Sequence, residues 1–383
     1  MDQQIALSSL ESPDHALHKD HGWFACTWFL GRRCNYDCSY CSALEHDNHS
    51  GHVSLEVVKS MVAQLKTHIQ NKHKKFKMSI TGGEPFVHPK VLDIIHLIKQ
   101  ELDPQQFSFV TNGSVPLKKY KKAIELGLTH MTFSYHMERS DKERQKITDT
   151  IKAVNDIFKS KHNKKPKTME DIKAMHDADT NVIVNLMMLP GKLNEVKHVM
   201  QDFEQHGIAY TIRDIEPNFT ANGRMIRPYE PGYELTKHIK NDEAFRYKNR
   251  QDNVNKTNEQ YYSKEERDFL ESAMSKTNWN NVRVYNQDGS TEETHTDELI
   301  KHGRTNFRDW RCYVGIDHMY VDWDGRVWTA LCRQGGVIGN ISGKINFPQQ
   351  PIKCWLDYCR CNINIWTRKY KEDTHRHLVT DEQ

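Results

Sequence analysis

At 383 residues the chain is long enough for one large domain and a smaller one, and a net charge of +3 is too small to argue for a nucleic-acid surface. Mean hydropathy is −0.80 and no apolar stretch approaches the roughly 20 residues that span a bilayer, which excludes a transmembrane helix. The polar N-terminus has no signal-peptide core, so the protein is expected in the cytoplasm, without a membrane partner, where its nine cysteines are reduced thiols gathered for metal.

In chain order, residues 24–30 read as a first strand that leads through Gly31-Arg32-Arg33 into Cys34-Asn35-Tyr36-Asp37-Cys38-Ser39-Tyr40-Cys41. Three thiols spaced C-x3-C-x2-C on one tight loop suit three irons of a [4Fe–4S] cube and leave the fourth iron open. Three cysteines plus one more donor would also satisfy tetrahedral Zn²⁺. Ser54 is a candidate N-cap for a helix over 54–67 with Val58, Met61 and Leu65 on one face. A second strand, 77–81, is broken by Gly82-Gly83.

Helix and strand then alternate. Val91, Ile94, Ile95 and Ile98 make a helical stripe, 107–110 is a strand ending at Thr111-Asn112-Gly113, and 117–126 is a helix closed by Gly127. Strand 131–135, a long polar helix over 141–158, strand 181–189, helix 195–205 and strand 209–215 complete the pattern. The apolar run of 181–189 predicts a parallel strand buried on both faces. Six strands alternating with helices predict an α/β fold, either an open doubly wound sheet or a partial barrel. Both bind ligands at C-terminal strand ends, where the Cys loop, Gly82 to Pro85, Thr111 to Gly113, Ser134 to His136 and Asp214 to Glu216 all fall.

The basic runs 72–75 and 161–167 read as solvated loops, so nucleic acid is not an expected partner. Residues 218–305 form a bridging segment with a helix over 264–274, a strand over 283–285 and a turn over 287–290. A smaller cluster-binding region, 306–366, carries Cys312, Cys332, Cys354, Cys359 and Cys361, with a β-hairpin over 318–330 turning at Asp322 to Gly325. Residues 367–383 form a polar tail expected to fray, and Cys26 is expected to be a buried small hydrophobe.

The Cys34 to Cys41 loop, with aromatic Tyr40 before its last thiol, followed by Gly82-Gly83-Glu84-Pro85, resembles the radical S-adenosylmethionine (radical SAM) superfamily. The resemblance implies a partial (β/α)6 TIM-like barrel over 1–217, a [4Fe–4S] cluster on Cys34, Cys38 and Cys41, and SAM chelated at its open iron. It also implies reductive cleavage of SAM to a 5′-deoxyadenosyl radical that abstracts hydrogen from a substrate. Gly82, Gly83, Glu84 and Pro85 match the motif that meets the SAM amino group, which a carboxylate suits. Thr111, Asn112, Ser134 and His136 match positions that touch the SAM ribose and carboxylate, although His136 departs from the acidic residue of many relatives. Tyr40 would lie beside the adenine.

Cys312-x12-Gly325-x6-Cys332 approximates the opening of the SPASM or twitch auxiliary-cluster module, which implies a small C-terminal α+β domain with one auxiliary [4Fe–4S] cluster. Seven of nine thiols would serve two clusters; by strand alternation the adjacent-but-one Cys359 and Cys361 of C-x4-C-x-C are expected to point apart, which gives only one of them to this cluster, and if only three of the five bind, its open iron could hold substrate directly. Zinc would suit the set as well. Asp214 and Glu216 are candidate bases, and Arg213 is a candidate partner for a substrate carboxylate or phosphate. Expected partners are an electron donor such as flavodoxin or ferredoxin and a peptide or small-molecule substrate. The alternative from another class is a non-catalytic metal-binding or regulatory protein on the same scaffold.

Overall fold

The computed structural model describes residues 14–18, 23–38, 40–41, 46–72, 75–162, 181–215, 262–274, 281–356, 359 and 361–380. Strand β1 (Asp14–His18) belongs to a smaller sheet, and β2 (Trp23–Phe29) begins the larger one. Then come α1 (Leu55–Lys72), β3 (Lys75–Thr81), α2 (Val91–Leu102), β4 (Gln106–Thr111), α3 (Leu117–Glu125), β5 (His130–His136), α4 (Asp141–His162), β6 (Val182–Met187), α5 (Leu193–Gln205) and β7 (Ala209–Arg213). Strands β2 to β7 pair in parallel, each with the next in sequence. An order without reversal is the singly wound, TIM-like arrangement, and a doubly wound sheet reverses at its switch point. The sheet does not close on itself.

Alternation along the strands separates two faces. Phe24, Cys26 and Trp28 of β2, Phe76, Met78 and Ile80 of β3, and Phe107 and Phe109 of β4 are buried in one apolar core with the stripes of α1 and α2. Cys26 is thus the small core residue its isolation suggested. The opposite face carries Thr27, Lys77, Ser79, Ser108, Thr132, Ser134, Asn185 and Arg213, all only partly buried. Strand β6 was expected to be apolar on both sides, but Asn185 lies on the polar face and accepts from Thr211 Oγ1 at 2.8 Å.

Helix α6 (Lys264–Met274) forms where expected and packs against β7, where the Tyr262 hydroxyl bridges Ile215 N and Met188 O, both at 2.8 Å. The rest of the chain continues with β8 (Asn281–Asn286), β9 (Thr291–His295), α7 (Thr296–Lys301), β10 (Arg311–Cys312), β11 (His318–Val321), β12 (Arg326–Trp328), β13 (Val337–Asn340), β14 (Ile352–Lys353), α8 (Asn362–Trp366) and β15 (Lys369–Tyr370).

Two placements depart from the sequence pattern. The hairpin β11–β12 does not stand apart: β11 pairs in parallel with β2, from His318 opposite Ala25 to Val321 opposite Trp28, and extends the larger sheet with β12 and β13. Conversely, β1 joins the smaller antiparallel sheet in the order β14-β10-β15-β1-β8-β9. Its fully buried Asp14 takes Arg304 at 2.7 Å. The expected frayed tail is also corrected. Residues 369–370 form a strand, Asp373–Leu378 is a 3-10 helix, Val379 is buried, and Arg368 grips Asp317 through two bonds of 2.6 and 2.8 Å.

Candidate functional site

The first thiol loop leaves the C-terminal end of β2 and is tied off at its base. Cys34 N donates to Asp47 O at 2.7 Å and Asp47 N to Arg32 O at 2.9 Å, while the Asp47 carboxylate takes Ser50 N at 2.7 Å and Arg32 at 3.4 Å. The turn after β3 closes on the same stem. Gly83 N donates to Gly31 O at 2.8 Å and Glu84 N to Arg33 O at 2.9 Å. A Cβ on Gly83 would stand 2.3 Å from Arg32 O, and one on Gly82, whose φ is +136°, 2.5 Å from Gly31 O. The glycine pair therefore brings this turn against the backbone that carries Cys34, a close approach only glycine permits.

Glu84 is 2% exposed and caps the 3-10 turn Pro85–Val87. Its carboxylate accepts from Phe86 N and Thr111 Oγ1 at 2.9 Å and from Asn112 N at 2.6 Å, so it binds the β3 turn to the β4 turn. Burial outweighs these bonds and pushes its carboxyl up to about 7. Asn112 passes the linkage on, with Nδ2 at 3.0 Å from Asn35 Oδ1 and 3.8 Å from Cys34 Sγ.

On the far side, His136 ends β5 with Nδ1 3.5 Å from Cys38 Sγ and in hydrogen-bond contact with the Tyr40 hydroxyl. Burial lowers His136 to about 4, so its ring is neutral. Tyr40 stacks on that ring at 5.8 Å, Tyr36 meets it edge-on at 6.0 Å, and Arg139 covers Tyr36 at 4.2 Å. Tyr36, Asn35, Asp47 and Arg139 were not singled out in the sequence, where nothing marks them beyond proximity to the thiols. Ser134 lies on the polar face of β5, two residues before His136.

Donor chemistry at this loop fits an iron–sulfur cluster. Burial raises the Cys34 thiol to about 12, and a hydrogen bond with Cys41 followed by burial raises Cys38, so an incoming metal displaces protons from grouped thiols. Among the described residues no three His, Cys, Asp or Glu side chains converge on a single point as one metal ion requires. In a cube each thiolate meets its own iron, and the thiols stand apart.

The second thiol group is assembled from distant segments. Cys312 lies in β10, Cys332 follows β12, Cys354 follows β14 and Cys359 precedes α8; Cys312, Cys354 and Cys359 are each 5% exposed within one core, with Cys332 packed on it. Burial, then the neighbouring thiols of Cys359, Cys312 and Cys354, raise Cys332. Cys361 stands at the N-cap position of α8, where it neighbours the Cys359 thiol on one side and Arg213 of β7 on the other. Strand alternation does not part Cys359 from Cys361, because residues two apart share a face. Asp214 is half-buried just past β7, and Glu216 lies outside the described residues.

This loop on a singly wound parallel sheet defines a class. Residues 28–203 match the family model of the Radical SAM superfamily, and the chain carries a radical SAM superfamily domain. That family implies a [4Fe–4S] cluster and SAM, requires a reductant, and acts on small-molecule or peptide substrates. The chain is 26% identical over 165 residues to a GTP 3',8-cyclase of Clostridium perfringens (strain SM101 / Type A), covering 43% of this chain and 50% of that protein. It is 24% identical over 196 residues to the antilisterial bacteriocin subtilosin biosynthesis protein AlbA of Bacillus subtilis (strain 168), covering 49% of this chain and 36% of that protein. The match thus spans half or less of these relatives. The solved structure "Native anSMEcpe with bound AdoMet" is similar at a TM-score of 0.44 and 15% identity, over 83% of this chain and 78% of that one. No helix among the described residues is long and apolar enough to cross a membrane.

Proposed function

We propose that the protein is a radical SAM enzyme whose six parallel strands form a partial barrel around the polar sheet face. Cys34, Cys38 and Cys41 would hold the SAM-binding [4Fe–4S] cluster, and Cys312, Cys332, Cys354 and Cys359 an auxiliary [4Fe–4S] cluster on a SPASM/twitch-like module. The observation that carries this reading is the convergence of the three-thiol loop with the Gly82 to Pro85 turn and the Asn112 turn at adjoining strand ends. When bound, these cofactors supply reductive cleavage of SAM and hydrogen abstraction from substrate.

The chain's own part is placement. Asn112, Asn35 and His136 fix the loop, and Tyr36 and Tyr40 shield one side of it from water. SAM would lie along Gly82 to Pro85, Thr111, Asn112 and Ser134, beside Tyr40. Because three intrachain donors already engage Glu84, it would support this pocket chiefly by holding the two turns together. Asp214 and Glu216, past β7, would serve a step that removes a proton. The substrate is a small molecule or a peptide, two classes that the names of the relatives also divide between, and a flavodoxin or ferredoxin would deliver the electron.

Anaerobic reconstitution with iron and sulfide, reduction, and assay for 5′-deoxyadenosine test this reading. The reconstituted protein should release methionine and 5′-deoxyadenosine from SAM, and Cys34→Ala should release none while keeping iron at the C-terminal thiols. A fully loaded protein that leaves SAM intact under strong reductant would refute it.

A further inference from the structure

We infer that Lys369 is the built-in counter-cation of the C-terminal cluster and sets its reduction potential, a claim that rests on the auxiliary-cluster reading above. Lys369 is 1% exposed, an extreme for a lysine, and sits in β15. It is the cross-strand partner of Cys312 in the antiparallel pair β10–β15, so the two side chains leave the same face as neighbours. Its Nζ donates to Asn364 O at 2.8 Å, Ile365 O at 2.8 Å and Thr367 O at 2.6 Å. Three donated bonds need three N–H groups, which only the charged ammonium has. Phe307, itself fully buried, presents its ring at 4.8 Å.

These contacts are all neutral, so they solvate the charge without cancelling it. Lys369 forms no ion pair among the described residues; Asp317, whose carboxyl feels this ammonium, is gripped by Arg368. A buried charge is costly unless hydrogen bonds replace its hydration, and here three carbonyl oxygens do so. The groups facing Lys369 are the thiols of Cys312, Cys354 and Cys359, all of which its field favours as thiolates. Four thiolates around a [4Fe–4S] core leave a net negative charge, and reduction adds another. A fixed ammonium in a low-dielectric interior stabilises the reduced cluster more than the oxidised one and so raises its potential. Among the levers that set such potentials, net charge near the sulfurs is the one Lys369 supplies.

The test uses the full chain with Cys34→Ala, Cys38→Ala and Cys41→Ala, so that the C-terminal thiols alone are loaded, followed by redox titration monitored by electron paramagnetic resonance. Lys369→Met should retain one cluster's iron and sulfide yet titrate at a more negative midpoint potential, and Lys369→Arg should stay near the unsubstituted value. Lys369→Gln keeps N–H donors for the carbonyls and drops the charge, and it carries the same comparison should Lys369→Met not fold. Neutral variants with an unshifted potential would show that Lys369 only ties down the turn after α8. If instead the triple variant with Lys369 intact binds no iron and sulfide, the auxiliary-cluster reading itself fails.

Discussion

The two thiol groups are built on opposite plans. Cys34, Cys38 and Cys41 share one loop, and hydrogen bonds from neighbouring strand ends hold it: the Gly83 and Glu84 amides, Asn112 and His136. Cys312 and Cys354 lie in or beside strands joined by short antiparallel pairings, Cys332 follows β12 of the larger sheet and Cys359 precedes α8, all around a shared core with a buried ammonium at its edge. A local site of the first kind depends on a few backbone contacts at its stem. A non-local one depends on the whole smaller sheet, including β1 from the far end of the chain.

The largest effects fall on the thiols themselves. Cys359→Ser should remove the C-terminal cluster, halving iron and sulfide per chain, while SAM cleavage at the first site survives; unchanged iron would disconnect Cys359 from the group. Gly83→Ala attacks the stem of the local site. Its Cβ would meet Arg32 O and Arg33 O at 2.3 and 2.5 Å, both backbone atoms with no freedom to yield. A cost of about 3 kcal/mol or more is expected in denaturant melts, with loss of the first cluster and retention of the second. Equal loss of both would mean that the two regions unfold together.

Glu84 gives a pH signature to the same region. Its folded carboxyl, raised to about 7 by burial from an ordinary 4.5, holds its proton more tightly than the unfolded chain does. The folded state therefore binds more protons between these values, and stability of the apoprotein falls as pH rises from about 4.5 to 7, by up to about 3 kcal/mol. Glu84→Gln cannot titrate and should flatten that slope in melts across the same range. It also turns an amide N–H toward donors the carboxylate now accepts, and should cost about 1–3 kcal/mol at acid pH, where the wild-type group is neutral.

The local site was legible because its evidence is contiguous: the C-x3-C-x2-C spacing, the glycine pair and the strand-helix alternation each fit within a short window. Periodicity located all six parallel strands and the helices between them, and Lys264–Met274 as well. What stayed hidden is set by pairing between distant segments. The five residues of β1 offer too few apolar positions to show a period. The parallel pairing of β11 with β2 joins positions 293 residues apart, from His318 opposite Ala25 to Val321 opposite Trp28. Lys369 sits in a polar stretch that looks solvated until β15 pairs with β10. The glycine motif was seen, but its close approach to the backbone of 31–33 is a pairing across the strand ends that no short window shows.

The smallest predicted effect separates the two neighbouring cysteines. Cys361 holds the N-cap position of α8 between the Cys359 thiol and Arg213 on the polar face of the larger sheet, and it is more exposed than Cys359. Because serine keeps the size of cysteine and tolerates a helix N-terminus, Cys361→Ser should leave fold, iron and sulfide content and the C-terminal cluster's spectrum unchanged. Any change should appear only in turnover or substrate binding, through the polar face that Arg213 shares. Loss of iron in Cys361→Ser would instead move the fourth ligand from Cys359 to Cys361 and bring the auxiliary cluster toward the barrel side of α8.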